Sequence, residues 1–208
     1  MEENNKMTAE RSLEIISEQI EQSRLTVNKN LSWGLIWWGI WVIVFALLVA
    51  WLWEHCGGPV WNWLWAVMWL IGYGGEWFMA EYKRPVPPTF ISKTIGQVWG
   101  SFGVFIGFIG FVFGLIGCRI LPVELVVPDG HVYINITSII SLCFGMASTL
   151  TGFILKNRIV QVCGIIAGLG GFWGALHYPW FEQLYVMAAV AFVGLVMPGL
   201  VICFKNQK

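Results

Sequence analysis

One acidic residue, Glu76, lies in a stretch of sequence that is otherwise apolar enough to enter a membrane. A carboxylate in such a place is costly and often marks a solute or ion pathway. Glu81, Lys83 and Arg84 follow closely, so the sequence also allows Glu76 to lie near the membrane surface. Glu76 is therefore either a pathway residue, with Trp77 beside it, or one half of a structural ion pair with Lys83 or Arg84.

Hydroxyl side chains are concentrated in the apolar segment 133–155. Ser141, Ser148 and Thr149 are candidates for the lining of a narrow polar path. Hydroxyls of this kind also bond within a helix or across to a neighbouring one, so helix packing is the alternative. His177, which follows the next apolar segment, is a further candidate ligand residue.

Signatures of metal sites and enzymes are missing. Three histidines and two cysteines share the connections on one side of the predicted membrane: His55, His131, His177, Cys56 and Cys118. Their spacing matches no recognised metal site. The chain has no H-E-x-x-H, no G-x-x-x-x-G-K-[ST] and no G-x-S-x-G. We therefore predict no metal, no cofactor and no enzymatic activity, with a metal site on these residues and a membrane enzyme as the alternatives. Cys56 and Cys118 can form a disulfide if they face an oxidising compartment.

Composition places these residues in an all-α, polytopic membrane protein. The chain is 57% hydrophobic and 12% charged, about half the charge of a soluble domain. Its net charge is zero, and no basic block indicates nucleic acid. Uncharged runs of about 20 residues match the length of a bilayer crossing, and helix satisfies the backbone there. The six predicted transmembrane helices are 33–53, 59–80, 95–117, 133–155, 159–176 and 184–204.

Lysine and arginine predict the orientation. Of the 12 such residues, only Arg119 falls in the connections 54–58, 118–132 and 177–183. The others lie in the amino-terminal segment, in the second and fourth connections and in the tail 205–208. Basic residues are enriched in cytoplasmic loops. We therefore expect both termini in the cytoplasm and the protein in a bacterial inner membrane.

The amino-terminal segment 1–32 is predicted to be a cytoplasmic amphipathic helix. Leu13, Ile16, Ile20 and Val27 recur at helical spacing within residues 8–30. The segment is slightly acidic, unlike helices that bind anionic lipid. Its apolar stripe can therefore pack on a helix of the same chain, of a sister copy or of a cytoplasmic protein. A simple extension of the first span is the other alternative.

The chain contains an internal echo of eleven residues. GYGGEWFMAEY begins at Gly72 and GLGGFWGALHY at Gly168, and both fit G-x-G-G-x-W-x-x-x-x-Y. A duplicated three-helix unit would insert its second copy upside down, as in many transporters. Chance in a chain with 24 glycines and 14 tryptophans is the alternative. The tryptophans either anchor and pack the helices or wall a site for an apolar or cationic ligand.

The third predicted span has a face of glycines at steps of four and three residues. Such a repeat keeps a side-chain-free seam against one neighbouring helix. We expect that neighbour to be the fifth span or the same span of a sister copy, with a glycine-lined pore as the alternative. The seam comprises Gly96, Gly100, Gly103, Gly107, Gly110, Gly114 and Gly117.

The amino-terminal pattern SLEIISEQIEQSR, the N-K-N turn and the LIWWG of the first span resemble a family of small multi-pass bacterial inner-membrane proteins. The resemblance covers mainly the first 50 residues and the order of segments. It implies the inner-membrane placement and carries no mechanism. We expect a small-solute transporter or channel-like protein in the lipid bilayer. The alternative is a regulatory or scaffold protein that holds a cytoplasmic partner on its amino-terminal helix.

Overall fold

A computed structural model describes residues 9–82, 90–117, 135–178 and 180–205, and these are helical except for short turns. The first helix is α1 (Ala9–Cys56), and a 3-10 turn (Pro59–Trp63) leads from it into α2 (Leu64–Tyr82). The remaining helices are α3 (Phe90–Gly117), α4 (Ile136–Ile154), α5 (Arg158–Leu176), α6 (Gln183–Ala191) and α7 (Met197–Lys205), with a π-helical segment (Phe192–Val196) joining the last two.

Five helical stretches are long and apolar enough to cross a membrane within the described ranges: Leu31–Cys56, Phe90–Leu115, Ile136–Ile154, Arg158–Leu176 and Gln183–Phe204. They fall within a few residues of the first, third, fourth, fifth and sixth predicted spans. The second predicted span corresponds to the 3-10 turn and α2, which is not among the five. Glu76, Glu81 and several glycines and tryptophans lower the mean hydropathy of α2. The described part of the chain is thus helical with several candidate membrane spans, and the count of six stays a prediction.

The amino-terminal segment and the first span form one helix of 48 residues. The amphipathic segment is therefore an extension of the first span rather than a separate helix folded back on the bundle. Leu13 and Ile16, in the apolar stripe, are 66% and 51% exposed. These two side chains are therefore largely uncovered within the described ranges, and the side chains of Ile20 and Val27 lie outside them.

Tight turns place successive helices side by side. Gly57 and Gly58 end α1 with φ angles of 95° and 99°, a region that favours glycine and reverses the chain at a helix end. Asn135 caps α4, with its side-chain oxygen 3.1 Å from the backbone nitrogen of Ser138. Asn157 caps α5 in the same way through the backbone N–H of Ile159. The hairpins α1–α2 and α4–α5 result.

The core of the bundle lies between α1, α4, α5 and the α6–α7 pair. It contains large apolar side chains from each of these helices: Leu35, Phe144, Val160, Ala167, Val190, Leu195 and Ile202. Glycine brings α6 and α7 close to α1, since a Cβ atom on Gly39 would lie 2.6 Å from Val196. Helix α2 packs on α1 at the edge of this core, and α3 packs mainly on α4.

The π-helical segment lies next to a proline, which removes a hydrogen bond from the helix, and a side chain of α4 supplies another donor. Pro198 has no N–H, so it cannot donate to the carbonyl of Gly194 four residues earlier. The hydroxyl of Ser148, on α4, donates to that carbonyl over 3.2 Å. This hydrogen bond links the centre of α4 to the irregular turn of the last span.

We expect Ser148→Ala to lower the free energy of unfolding by about 1 kcal/mol, because a buried carbonyl loses a donor. In a Pro198→Ala background the helix regains its own N–H at that point, so the same substitution should cost less than half as much. Thermal or SDS-induced unfolding of the four variants in detergent gives the coupling energy. Equal losses in both backgrounds would contradict this account of Ser148.

Candidate functional site

Glu76 lies beside the apolar section of α1. One of its carboxylate oxygens accepts a hydrogen bond of 2.8 Å from the indole Nε1 of Trp38. At 1.5 Å per residue, Trp38 lies about 10 Å along the helix from Leu31, where the candidate span begins. The carboxylate is therefore alongside the candidate span rather than beyond its end. Its predicted pairing with Lys83 or Arg84 falls outside the described residues.

Three aromatic rings pack around this hydrogen bond. The ring centroids of Trp38 and Trp69 are 5.4 Å apart, and those of Trp38 and Tyr73 are 5.2 Å apart. Trp69 and Tyr73 stack at 5.5 Å with an interplanar angle of 24°. We refer to Trp38, Trp69, Tyr73 and Glu76 as the aromatic–carboxylate cluster. Its rings contact each other, so a ligand would meet their outer faces rather than a space between them.

Glycines on α2 make room for the indoles of α1. A Cβ atom on Gly72 would lie 2.5 Å from the ring of Trp38, and one on Gly75 would collide with the ring of Trp37. The indole of Trp37 also donates to the backbone carbonyl of Gly72, over 3.3 Å. The absence of side chains at these two positions thus lets both rings lie against the α2 backbone. This close approach is what brings the Trp38 indole within reach of Glu76.

The cluster also touches α3. A Cβ atom on Gly103 would lie 3.5 Å from the ring of Trp69, which is ordinary contact. At Gly96, Gly100, Gly107, Gly110 and Gly114, no described atom lies within 4 Å of the corresponding position. The glycine face of α3 is therefore mostly uncovered within the described chain.

The predicted packing of the third span on the fifth is wrong. The α5 glycines face α4 and α6 instead: Gly164 lies against Thr149, Gly168 against Gly145, and Gly171 against Ser141 and Val190. Helix α3 meets α4 through side chains such as Trp99, whose indole donates to Thr151 over 3.1 Å. Packing of α3 on a sister copy stays a prediction, and the surroundings of Gly117 lie outside the described side chains.

The other predicted site residues lie apart from the cluster. Trp77 is 83% exposed and takes no part in the ring contacts. The hydroxyl of Thr149 donates to the carbonyl of Gly145 in its own helix, and Ser148 bonds to the last span. His177 ends α5, where its Nδ1 lies 2.8 Å from the carbonyl of Trp173. The structure does not bring these residues together with Glu76.

Some buried polar atoms have no partner among the described residues: Trp41 Nε1, Ser138 Oγ and Ser141 Oγ. Ser141 lies against Gly171, in the contact of α4 with α5. Trp41 lies one turn from Trp37, with the ring centroids 5.5 Å apart. Over the described ranges no group of three or more His, Cys, Asp and Glu residues can hold a metal ion. Cys118, the predicted disulfide partner of Cys56, lies outside those ranges.

The sequence analysis missed Trp38 and Tyr73, although a signal for the first was present. Trp38 is 19 residues before Gly57, and Glu76 is 18 residues after Gly58. Counting outwards from this glycine turn places the two side chains at the same level of an antiparallel hairpin. Tyr73 had no such signal, because its place depends on the rotation of α2 about its own axis.

Comparisons of the chain with protein-family models, with curated proteins and with solved structures found no match. The resemblance to a family of small bacterial inner-membrane proteins accordingly stays a prediction.

Proposed function

We propose that the chain binds a small solute at the aromatic–carboxylate cluster and moves it across a membrane, as a transporter or channel-like protein. The observation that carries this proposal is the hydrogen bond between Trp38 and Glu76 beside the apolar section of α1. A carboxylate at the centre of a transmembrane helix costs about 3 kcal/mol, and such groups are associated with solute pathways. The Trp38 indole offsets part of that cost.

The proposal includes α2 as a sixth span. Near the turn, Leu64 and Trp65 pack with Val49 and Ala50 of α1, and farther along Glu76 meets Trp38. Helix α2 therefore runs antiparallel to α1 along most of the candidate span Leu31–Cys56. A helix that follows a membrane span over this length crosses the same apolar layer. With six spans, the distribution of lysine and arginine supports a proposal in which both termini lie in the cytoplasm.

The proposal also includes two inverted three-helix halves. In the first copy of the echo, Gly72 and Gly75 face indoles of the preceding helix, and Gly74 faces open space. In the second copy Gly168 faces the preceding helix, Gly171 faces both the preceding helix and Val190 of the following one, and Gly170 faces open space. Both copies thus present matching faces, as duplicated halves of a transporter would.

The test is solute flux into liposomes that contain the purified protein. The panel comprises sodium, potassium, chloride, choline, glucose and glycine, with empty liposomes as the baseline. We expect at least one solute to cross faster with the protein. Glu76→Gln should slow that flux by roughly tenfold, because one charge-assisted interaction is worth about 1.5–3 kcal/mol. Glu14→Gln, a change in the exposed extension, should leave the flux unchanged.

Flux equal to that of empty liposomes for the whole panel would overturn the transport proposal. Flux that is present but equal in the wild type and in Glu76→Gln would overturn the assignment to Glu76.

A second candidate function, a scaffold for a cytoplasmic partner, is favoured by the exposed apolar side chains of Leu13 and Ile16. It predicts that a protein co-purifying with the full chain is lost when residues 1–28 are deleted. Retention of every co-purifying partner by the shortened chain would contradict it.

A further inference from the structure

We propose that the solute is an organic cation with an apolar body, and that it binds between α2 and α3. This inference rests on the proposed function and adds the ligand class and the binding slot. The slot is the space between Tyr73 and Glu76 of α2 and Gly96 and Gly100 of α3.

The register of the helices locates the slot. Helix α1 is antiparallel to α2. Leu31 of α1 packs on the cluster of Ile95 and Leu155 near the start of α3. Farther along both helices, Gly103 of α3 meets Trp69, which packs on Trp38 of α1. Helix α3 therefore runs parallel to α1 and antiparallel to α2. Tyr73 lies one turn after Trp69 in α2, and Gly100 lies about one turn before Gly103 in α3. Because the two helices are antiparallel, Tyr73 and Gly100 lie at the same level.

The slot is free of side chains from α3. No described atom lies within 4 Å of a Cβ position on Gly96 or Gly100. The side chain of Tyr73, on the opposite wall, is 56% exposed. A flat or branched apolar group can therefore lie between the tyrosine ring and the α3 backbone without displacing a side chain of α3.

Charge selects a cation for this slot. A carboxylate has about four lone-pair positions, and the Trp38 indole uses one at Glu76 Oε1. A positive group beside Glu76 would offset the remaining cost of holding a carboxylate in an apolar layer. Aromatic faces add attraction of about 0.5–2 kcal/mol for a desolvated cation. An anion of the same shape gains neither contribution and is repelled by Glu76.

The experiment compares two ions of nearly the same shape and opposite charge. Radiolabelled tetraphenylphosphonium and tetraphenylborate are each titrated against the full chain in phosphatidylcholine nanodiscs, with empty nanodiscs subtracted. We expect saturable binding of the phosphonium and no saturable binding of the borate. Glu76→Gln should weaken phosphonium binding by roughly tenfold, which corresponds to about 1.4 kcal/mol. Equal binding of both ions, or unchanged affinity in Glu76→Gln, would overturn the inference.

A matched pair of glycine variants tests the position of the slot. Gly100→Leu fills it, whereas Gly110→Leu places the same side chain in open space about 15 Å farther along α3. We expect Gly100→Leu to weaken phosphonium binding at least several-fold and Gly110→Leu to leave it unchanged. If the two substitutions weaken binding equally, or if both variants form a smaller oligomer than the wild type does, the glycine face is a contact between copies. Either result would overturn the slot.

The outcomes separate this inference from the proposed function. Flux of a panel solute without phosphonium binding would leave transport standing and overturn the ligand class. Phosphonium binding that depends on Glu76, without flux of any panel solute or of the phosphonium, would support the binding site and overturn transport.

Discussion

Gly145→Ala is expected to lower the free energy of unfolding by about 3 kcal/mol, the largest effect expected of a methyl group added at any of the described glycines. The new Cβ atom would collide with the Cα atom of Gly168 and lie 2.7 Å from its backbone nitrogen. Backbone atoms cannot rotate away as a side chain can, so α4 and α5 would have to separate. Titration of the protein with SDS, followed by circular dichroism, measures the loss.

Two further glycine variants on α5 serve as controls for this prediction. Gly168→Ala approaches the same contact from the other side, with its Cβ atom 2.8 Å from the Cα atom of Gly145, and should also destabilise the protein. Gly170→Ala adds the same group where no described atom lies within 4 Å. It should be neutral or slightly stabilising, because alanine is the better helix former. Similar unfolding midpoints for Gly168→Ala and Gly170→Ala would show that the close contact carries little energy.

Trp38→Ala is expected to lower the free energy of unfolding by about 3–5 kcal/mol, since it removes a large indole from the contact of α1 with α2. It also removes the donor to Glu76 and the ring contacts with Trp69 and Tyr73. Trp38→Phe keeps most of the ring and removes only the donor, so its cost should be about 1–2 kcal/mol. Unfolding in detergent, monitored by circular dichroism, measures the free energy lost in each of these two variants.

A double-mutant cycle with Glu76→Gln isolates the hydrogen bond itself. If the indole stabilises the carboxylate, Trp38→Phe should cost clearly less in the Glu76→Gln background than in the wild type. Additive losses would mean that Trp38 acts only by packing. Trp37→Phe is a useful comparison, because the Trp37 indole donates to a backbone carbonyl and should show no coupling to Glu76.

The amino-terminal helix and the glycine face show where prediction from the sequence succeeds and where it stops. Periodicity at residues 8–30 predicted a helix, and α1 covers those residues from Ala9 onwards. Whether that helix turns back on the bundle depends on a break near residue 32. The N-K-N stretch and Gly34 allow a break there, but α1 continues through both. The glycine spacing of α3 likewise indicated a smooth face without indicating which helix, if any, covers it.

The glycines that do mediate a close helix contact carry a weaker spacing signal. The segment of α4 has only Gly145 and Gly152, and in α5 the steps of four and three run over three glycines, Gly164, Gly168 and Gly171, against seven in α3. The contact arises because the short turn at Asn157 holds α4 and α5 side by side and aligns Gly145 with Gly168. Spacing within one helix describes one surface, whereas a contact also requires the matching surface at the same level of the neighbour.

The sequence alone indicated that the chain is helical and that several of its stretches suit an apolar layer; it predicted six such stretches, and five are found in the described ranges. These properties follow from local composition, periodicity and backbone freedom, which act over a few turns of helix. Only the tertiary structure decided that Trp38 donates to Glu76 and that α5 pairs its glycines with α4. Those contacts depend on the rotation and register of whole helices, which many weak side-chain contacts set together.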